Sequence, residues 1–422
     1  MTPAQITLII LAIAIVSFVW EKIPVPLTAM LAMTALVLLK IIKPAQAIAG
    51  FSNTTVILFT AMVVVGGGIF ETGVSDKVAR LVTKFAKTER QILIALFLVG
   101  TLMSAALNNT GTTAIFIPII MGLAVSTGFS RSKMLMAMFL GVMSGGRLTL
   151  IGDATVNTIA QAAIVENGGV FEFFDIGKIG LPLTLLALVW LYFFGSKALP
   201  DKEPPANETN IFTGRERREA PMWKQVFSVA VLAFVFIGMI FTKEIGLPLY
   251  MIALLAGVAL SAAGILRGKQ VYDLIDMKTI FLYVGMLPLG AALKSTGAAQ
   301  IIADAMIKLI GGSTNVYLIT AITFAVACFM TQFMSNVVAI TLLCPIVVAV
   351  AKTIGASPTA LIATACIAST MGLVSPIACP PANIIYGYGG YKFTDYFKSN
   401  WSLVLLSLAM CVVFCPMIWP LY

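Results

Sequence analysis

The sequence predicts an all-α polytopic membrane protein built from two inverted five-span repeats, each with a re-entrant hairpin and a broken helix. Three observations carry that fold class. Apolar runs recur from end to end, one set of motifs occurs once in each half, and the basic residues divide unevenly between the loops. Of 422 residues, 59% are hydrophobic and only 11% charged, at a mean hydropathy of +1.00. A water-soluble domain carries about a quarter charged residues, because its surface faces water. Nearly every segment here therefore faces lipid or another membrane segment.

The elements follow in chain order. Met1-Thr2-Pro3 leads into an apolar run from Ile6 to Trp20. It lacks the basic start and small-residue cleavage site of a signal peptide, so it reads as a retained first span. Apolar segments follow at about 26–42, 54–74, 90–107, 112–127, 134–146, 149–165 and 179–195. The second half supplies 225–242, 247–266, 278–297, 314–333, 337–351, 358–375 and 400–422. Between them, Lys197 to Lys224 is polar, with Pro200, Pro204, Pro205 and the cluster Arg215, Arg217 and Arg218, the composition of a solvated linker. The chain thus divides into a first repeat (1–196), a linker (197–224) and a second repeat (225–422). Within the repeats, about 1–74 and 225–297 form one kind of unit, and about 90–165 and 314–385 hold the hairpins and broken helices.

The repeat is read from motifs in matched order. Glu71-Thr72-Gly73 closes an apolar helix before an amphipathic stretch (75–87), as Ser295-Thr296-Gly297 does before 299–309. Asn109 precedes Pro118 by nine residues, and Asn336 precedes Pro345 by nine. Asn157 has its counterpart in Asn383. The offsets are 224, 227 and 226 residues, so one register serves the whole half. If 90–127 and 314–351 are re-entrant hairpins, each half has five true spans, and the odd number inverts the second half. With the N-terminus outside, nineteen Lys and Arg fall on the cytoplasmic side, including the whole linker. Seven fall outside (Lys40, Lys43, Lys178, Lys243, Lys294, Lys308 and Lys352), and Arg147 lies within the membrane. That asymmetry obeys the positive-inside rule and places the linker in the cytoplasm, the protein being a multi-pass component of the plasma (inner) membrane.

Composition also excludes functions. A net charge of +9 and a pI near 9.2 arise from loop residues that form no continuous basic face, so no nucleic-acid partner is expected. The six cysteines lie in the second half, mostly in apolar runs, without metal-site spacing. There is no histidine, which rules out His-based metal binding, proton relay and catalysis. Ser335 and Ser375 then lack a base, and the chain is not expected to be an enzyme or to carry a cofactor.

Inverted repeats bind cargo near the midplane, where interrupted helices free backbone groups. Four interruptions are legible. Two are hairpin tips, Ala106 to Thr113 around Asn108-Asn109-Thr110 and Thr331 to Val337 around Ser335-Asn336-Val337, whose amides and hydroxyls serve either a ligand or the capping of the hairpin helices. The third runs from Ser144 to Asn157 through Gly145, Gly146, Arg147, Thr149, Gly152 and Asp153; the fourth runs from Ser375 through Pro376, Pro380 and Pro381 to Asn383. Paired glycines and clustered prolines both permit unwinding. The candidate cargo-binding residues are Asn108, Asn109, Thr110, Arg147, Thr149, Ser335, Asn336, Pro380 and Asn383. Gly152, Asp153, Asn157 and Ser375 are candidates for coupling to a sodium ion or a proton. A guanidinium at membrane depth needs a counter-charge, which is either an anionic cargo or Asp153, six residues on.

These residues resemble the divalent anion/sodium symporter family and its wider ion-transporter superfamily, with arsenite-pump and sodium/proton-antiporter branches. Asn108-Asn109-Thr110 and Ser335-Asn336-Val337 are similar to that family's two Ser-Asn-Thr signatures. The stretches Thr149 to Asn157 and Pro380-Pro381-Ala382-Asn383 are similar to its two breaks. The likeness runs from about Phe51 onward. It implies a secondary active transporter of a small anion, a di- or tricarboxylate or an inorganic oxyanion. It also implies an elevator mechanism, in which scaffold units 1–74 and 225–297 form a homodimer and amphipathic arms link them to sliding hairpins. Asp153 after Gly152 resembles the arsenite and antiporter branches, so a cation/proton antiporter or arsenite-type efflux carrier is the alternative. A fixed charge at Arg147 in place of a sodium ion would favour exchange over symport.

Overall fold

The computed structural model describes residues 1–20, 22–74, 88–202, 220–275, 277–309, 315–376 and 378–420, and all regular structure among them is helical. The first half holds α1 (Pro3–Trp20), α2 (Val25–Leu38), α3 (Pro44–Ile48), a tight turn (Ala49–Ser52) and α4 (Thr54–Glu71). It continues with α5 (Glu89–Ala106), α6 (Asn109–Thr127), α7 (Arg131–Gly145), α8 (Ala154–Glu166) and α9 (Gly177–Ala198). The second half holds α10 (Met222–Ile240), α11 (Thr242–Ile245), α12 (Leu249–Ala262), α13 (Gly268–Leu274), α14 (Met277–Ser295) and α15 (Ala298–Leu309). It ends with α16 (Val316–Phe333), α17 (Asn336–Thr353), α18 (Thr359–Ser369), α19 (Pro380–Gly389) and α20 (Phe393–Ile418). The amphipathic stretch 75–87 and most of the linker (203–219) lie outside the described residues, whereas 299–309 falls in α15.

By length and composition, five described helices can each cross a bilayer (α5, α9, α16, α17 and α20), or six if the bent pair 44–58 and 60–68 counts as one span. Both arms of the second hairpin are in that set, so length alone does not separate a re-entrant hairpin from two spans.

Burial sorts the helices by role. Every residue of α7 from Met134 to Gly145 is buried, as is every residue of α18. A helix that is apolar on all sides belongs in an interior, and these two form the centre of the molecule. Around them, α9 and α20 turn large apolar side chains outward, among them Val189, Phe193, Leu405 and Val413. On a membrane protein that surface faces lipid. A second layer pairs α2 with α14 and α4 with α12. Two buried hydroxyls, Ser17 and Thr28, join α1 to α2 at 2.7 Å.

The start of the linker is anchored to the central helices. Ser132 Oγ donates to Pro200 O at 2.7 Å and accepts from Lys202 N at 2.9 Å. Lys133 Nζ lies 2.8 Å from Asp201 and 3.4 Å from Glu89, and Lys202 Nζ lies 3.2 Å from Asp395. The Lys133 ammonium, hydrogen-bonded to Asp201, holds that carboxyl below the usual range.

Candidate functional site: two tips and two breaks around one cavity

The two hairpin tips share one construction. Asn108 caps α6, its Oδ1 accepting from Gly111 N at 2.6 Å, and Ser335 caps α17, its Oγ accepting from Val338 N at 3.3 Å. The first tip residue of each hairpin therefore satisfies a backbone donor that its helix start leaves unpaired. The next residue has its carbonyl oxygen held by a hydroxyl five residues earlier. Ser104 Oγ donates to Asn109 Oδ1 at 2.5 Å, and Thr331 Oγ1 donates to Asn336 Oδ1 at 2.7 Å. The glycines of the breaks complete the match. A Cβ on Gly146 would stand 2.7 Å from Asn109 Oδ1, and one on Gly372 would stand 3.4 Å from Asn336 Oδ1. Each tip amide thus packs against the backbone of its own break, and only glycine lets Gly146 come so close.

The breaks run from Gly146 to Asp153 and from Thr370 to Cys379. The second opens earlier than the prolines suggest, because α18 already ends at Ser369. Its freed carbonyls are met by side chains from other elements. Thr331 donates to Ser369 O at 2.6 Å, Gln332 to Met371 O at 2.9 Å and Asn400 to Leu373 O at 2.8 Å. Arg147 reaches across from the first break, with Nε 2.9 Å from Thr370 Oγ1 and Nη2 3.0 Å from Thr370 O. At membrane depth no water replaces such partners, so each donor holds a group that is costly to leave bare.

The first break is held within its own half. Asn157 Nδ2 donates to Gly146 O at 2.8 Å and to Thr149 O at 2.9 Å. Thr149 Oγ1 donates to Ala105 O at 2.6 Å, tying the break to the end of α5. Asp153 stands at the start of α8, where Asn109 Nδ2 donates to its Oδ2 at 3.1 Å. It also interacts with the side chain of Asn336, so the carboxylate lies between the two tips.

Tips and breaks together enclose a cavity of about 590 Å³. Its lining includes Asn108, Asn109, Thr110, Gly152, Asp153, Ser335, Asn336 and Pro380 from the sequence-predicted set. Thr60, Leu274, Ile275 and Ile280, on or beside α4, α13 and α14, close the opposite wall. Four helices, α6, α8, α17 and α19, begin at this cavity, so the positive ends of four backbone dipoles meet there. Five singled-out residues do not line it. Arg147, Thr149 and Asn157 are buried in the framework described above, Ser375 is buried within the second break, and Asn383 is exposed one turn into α19. Among the described residues no ion pair joins Arg147 to Asp153. Ser104, Thr370 and Asn400 escaped sequence reasoning, and Thr331 and Gln332, which open the second polar interruption, were not singled out as site residues. For Ser104 and Thr331 a signal existed, since both precede a tip asparagine by five residues in the common register.

A family model described as citrate transporter matches residues 15–249 and again 236–421, which together take in nearly the whole chain. The chain belongs to the citrate transporter family. Among its relatives, a protein of Haemophilus influenzae described as an uncharacterized transporter is 26% identical over 431 residues, covering 96% of this chain and 90% of the relative. The sodium-dependent dicarboxylate transporter SdcS of Staphylococcus saprophyticus is 23% identical over 444 residues, covering 96% of this chain and 84% of its own. Two solved structures share the fold. The Alcanivorax borkumensis YdaH transporter superposes with a TM-score of 0.65 at 13% identity, covering 99% of both chains. Neisseria gonorrhoeae MtrF, from a class of antimetabolite efflux pumps, gives 0.64 at 14% identity, covering 100% of this chain and 96% of its own. Membership in the citrate transporter family makes the chain a transporter and not an enzyme, and a multi-pass membrane protein.

Proposed function

We propose that the chain is a secondary active transporter of a small anion, a di- or tricarboxylate or an inorganic oxyanion, which binds in the cavity between the two tips and the two breaks. The observation that carries this reading is the convergence of four helix starts and both tip asparagines on one 590 Å³ space. Unpaired backbone N–H groups at helix starts favour negative charge. Relatives described as citrate and dicarboxylate transporters support the cargo class.

The cavity's own charge points to cation coupling. Arg147 donates to Thr370, and Asp153 is the one carboxylate, lysine or arginine side chain among the described residues of the cavity lining. An anion entering beside a bare carboxylate is repelled, so a proton or a sodium ion at Asp153 must accompany it. This favours symport over the exchange that a cargo-facing Arg147 would have implied. The same carboxylate supports the alternative, a cation/proton antiporter or arsenite-type efflux carrier. The matched tips and breaks are consistent with two inverted repeats and an elevator motion, the layer of α2, α4, α12 and α14 serving as a dimeric scaffold.

Thermal stabilisation of purified protein tests the reading, with citrate, succinate and sulfate each added with and without sodium at pH 6 and pH 8. Stabilisation by one anion that grows with sodium or with lower pH supports coupled anion transport. If anions have no effect while sodium or pH alone shifts the melting point, the antiporter reading takes over.

A further inference from the structure

A second cavity, of about 540 Å³, lies along the same helices as the first and shares none of its lining residues. The two occupy opposite ends of α8, α14 and α17. On α8, Thr155 lines the first cavity, while Ile159, Ala162 and Glu166 line the second. On α17, Val337 lines the first, while Thr341, Pro345 and Lys352 line the second. Steps of three, four and seven keep such positions on one helical face. At 1.5 Å per residue, Val337 to Lys352 covers roughly 22 Å. The two spaces therefore lie against the same faces of α8 and α17.

Charge distinguishes the second cavity. Lys294 stands in the last turn of α14 and Lys352 in the last turn of α17, and both are exposed. Neither ammonium makes an ion pair or hydrogen bond among the described residues. Glu166 is the acid among the described lining residues, so with Lys294 and Lys352 their charged side chains sum to one positive charge. Gln300 adds a polar wall, its amide nitrogen donating to Thr353 and to Asp304 outside the lining. A helix C-terminus favours a lysine, which accounts for each residue singly. It does not account for two unpaired lysines from different helices on the rim of one cavity.

We propose that this second cavity is an anion-collecting vestibule, in which Lys294 and Lys352 gather the carboxylates of the cargo at the membrane face opposite the linker. The proposal rests on the anion reading above. A net charge of one sign on a low-dielectric cleft focuses the field and raises the local concentration of counter-ions, an effect that salt screens.

The experiment is uptake of radiolabelled citrate and succinate into proteoliposomes, measured separately from each membrane face, for wild type and the double variant Lys294→Gln/Lys352→Gln. At about 20 mM salt the variant's KM should rise about 3- to 10-fold from the face opposite the linker, with kcat unchanged. The rise should shrink below about twofold at ~0.5 M salt, and KM from the linker face should not move. Lys352→Glu should raise KM further, and unchanged melting points show that the variants fold. A KM that is unchanged at low salt, or that changes equally from both faces, overturns the vestibule and leaves the anion reading standing. A wild type that carries neither probe, and that sulfate does not stabilise, overturns both.

Discussion

The two broken segments occupy matched positions in the two halves, yet they are held differently. The first, Gly146 to Asp153, is gathered by a neutral amide from its own half, Asn157, which bonds Gly146 O and Thr149 O. The second, Thr370 to Cys379 with the Ser369 carbonyl before it, is held by Thr331, Gln332 and Asn400 of its own half and also by a charged group from the other half, Arg147 of the first break. Repeated backbone geometry therefore does not require repeated chemistry. Two charges six residues apart in sequence are divided between two tasks, Arg147 holding the opposite half and Asp153 facing the cavity. A guanidinium suits the first task because its planar fork reaches a carbonyl and a hydroxyl of one residue together.

The largest expected effect breaks the comparison on the charged side. Arg147→Met leaves the Thr370 carbonyl bare, while the hydroxyl keeps its bond to Ile367 O, and should destabilise the protein by about 3 kcal/mol, the upper end of roughly 1–3 kcal/mol per buried polar group left bare. The measurement is the melting temperature, with a fall of several degrees expected and a smaller one for Arg147→Lys. An Arg147→Met protein of normal melting point that no longer responds to anions would instead place Arg147 in contact with cargo.

Next comes Asp153→Asn, which removes the cavity's fixed charge and keeps its shape. Transport driven by a sodium or proton gradient should fall more than about tenfold, while the melting point moves little and any pH dependence flattens. Retained gradient-driven uptake would remove Asp153 from the coupling step.

Asn157 and Asn383 give a sharper and smaller test, because the sequence register equates them. Asn157→Ala leaves the buried Gly146 carbonyl unmet and Thr149 O with only its bond from Gly152 N, and should cost about 2 kcal/mol. Asn383 is exposed, and its replacement by alanine should stay within about 0.5 kcal/mol. Equal losses in chemical or thermal denaturation would restore the symmetry that the structure denies.

The smallest effect lies outside both breaks. Asp201, largely exposed beside Lys133, has its carboxyl held low by that ammonium. A depressed carboxyl contributes stability above its unfolded-state pKa and loses it as pH falls through the folded one. Asp201→Asn should therefore lower stability at neutral pH by less than about 1 kcal/mol, with the difference from wild type vanishing under acid conditions.

Much of the site was legible because polar residues inside apolar runs are expensive and stand out. Asn108-Asn109-Thr110 and Ser335-Asn336 were found that way, and both tips line the cavity. The same knots also contain helix caps, and sequence could not tell Asn108, which caps, from Asn109, which bonds Asp153, since the two are adjacent and of one type. The early opening of the second break carried no signal, because Thr370-Met371-Gly372 reads as ordinary helix. Its partner Arg147 lies 223 residues away.

The amino-acid sequence by itself determined the membrane class, the all-helical fold, the positions of the tips and the register that relates the two halves. Those follow from hydropathy and from motif order, which are local properties of the chain. Only the tertiary structure decided which face of each polar residue meets the cavity and which meets a carbonyl. It set Arg147 on Thr370, buried Asn157 while exposing Asn383, and placed Asp153 between two tips that are far apart in sequence. Hydrogen-bond partners across hundreds of residues depend on packing, and no local pattern encodes them.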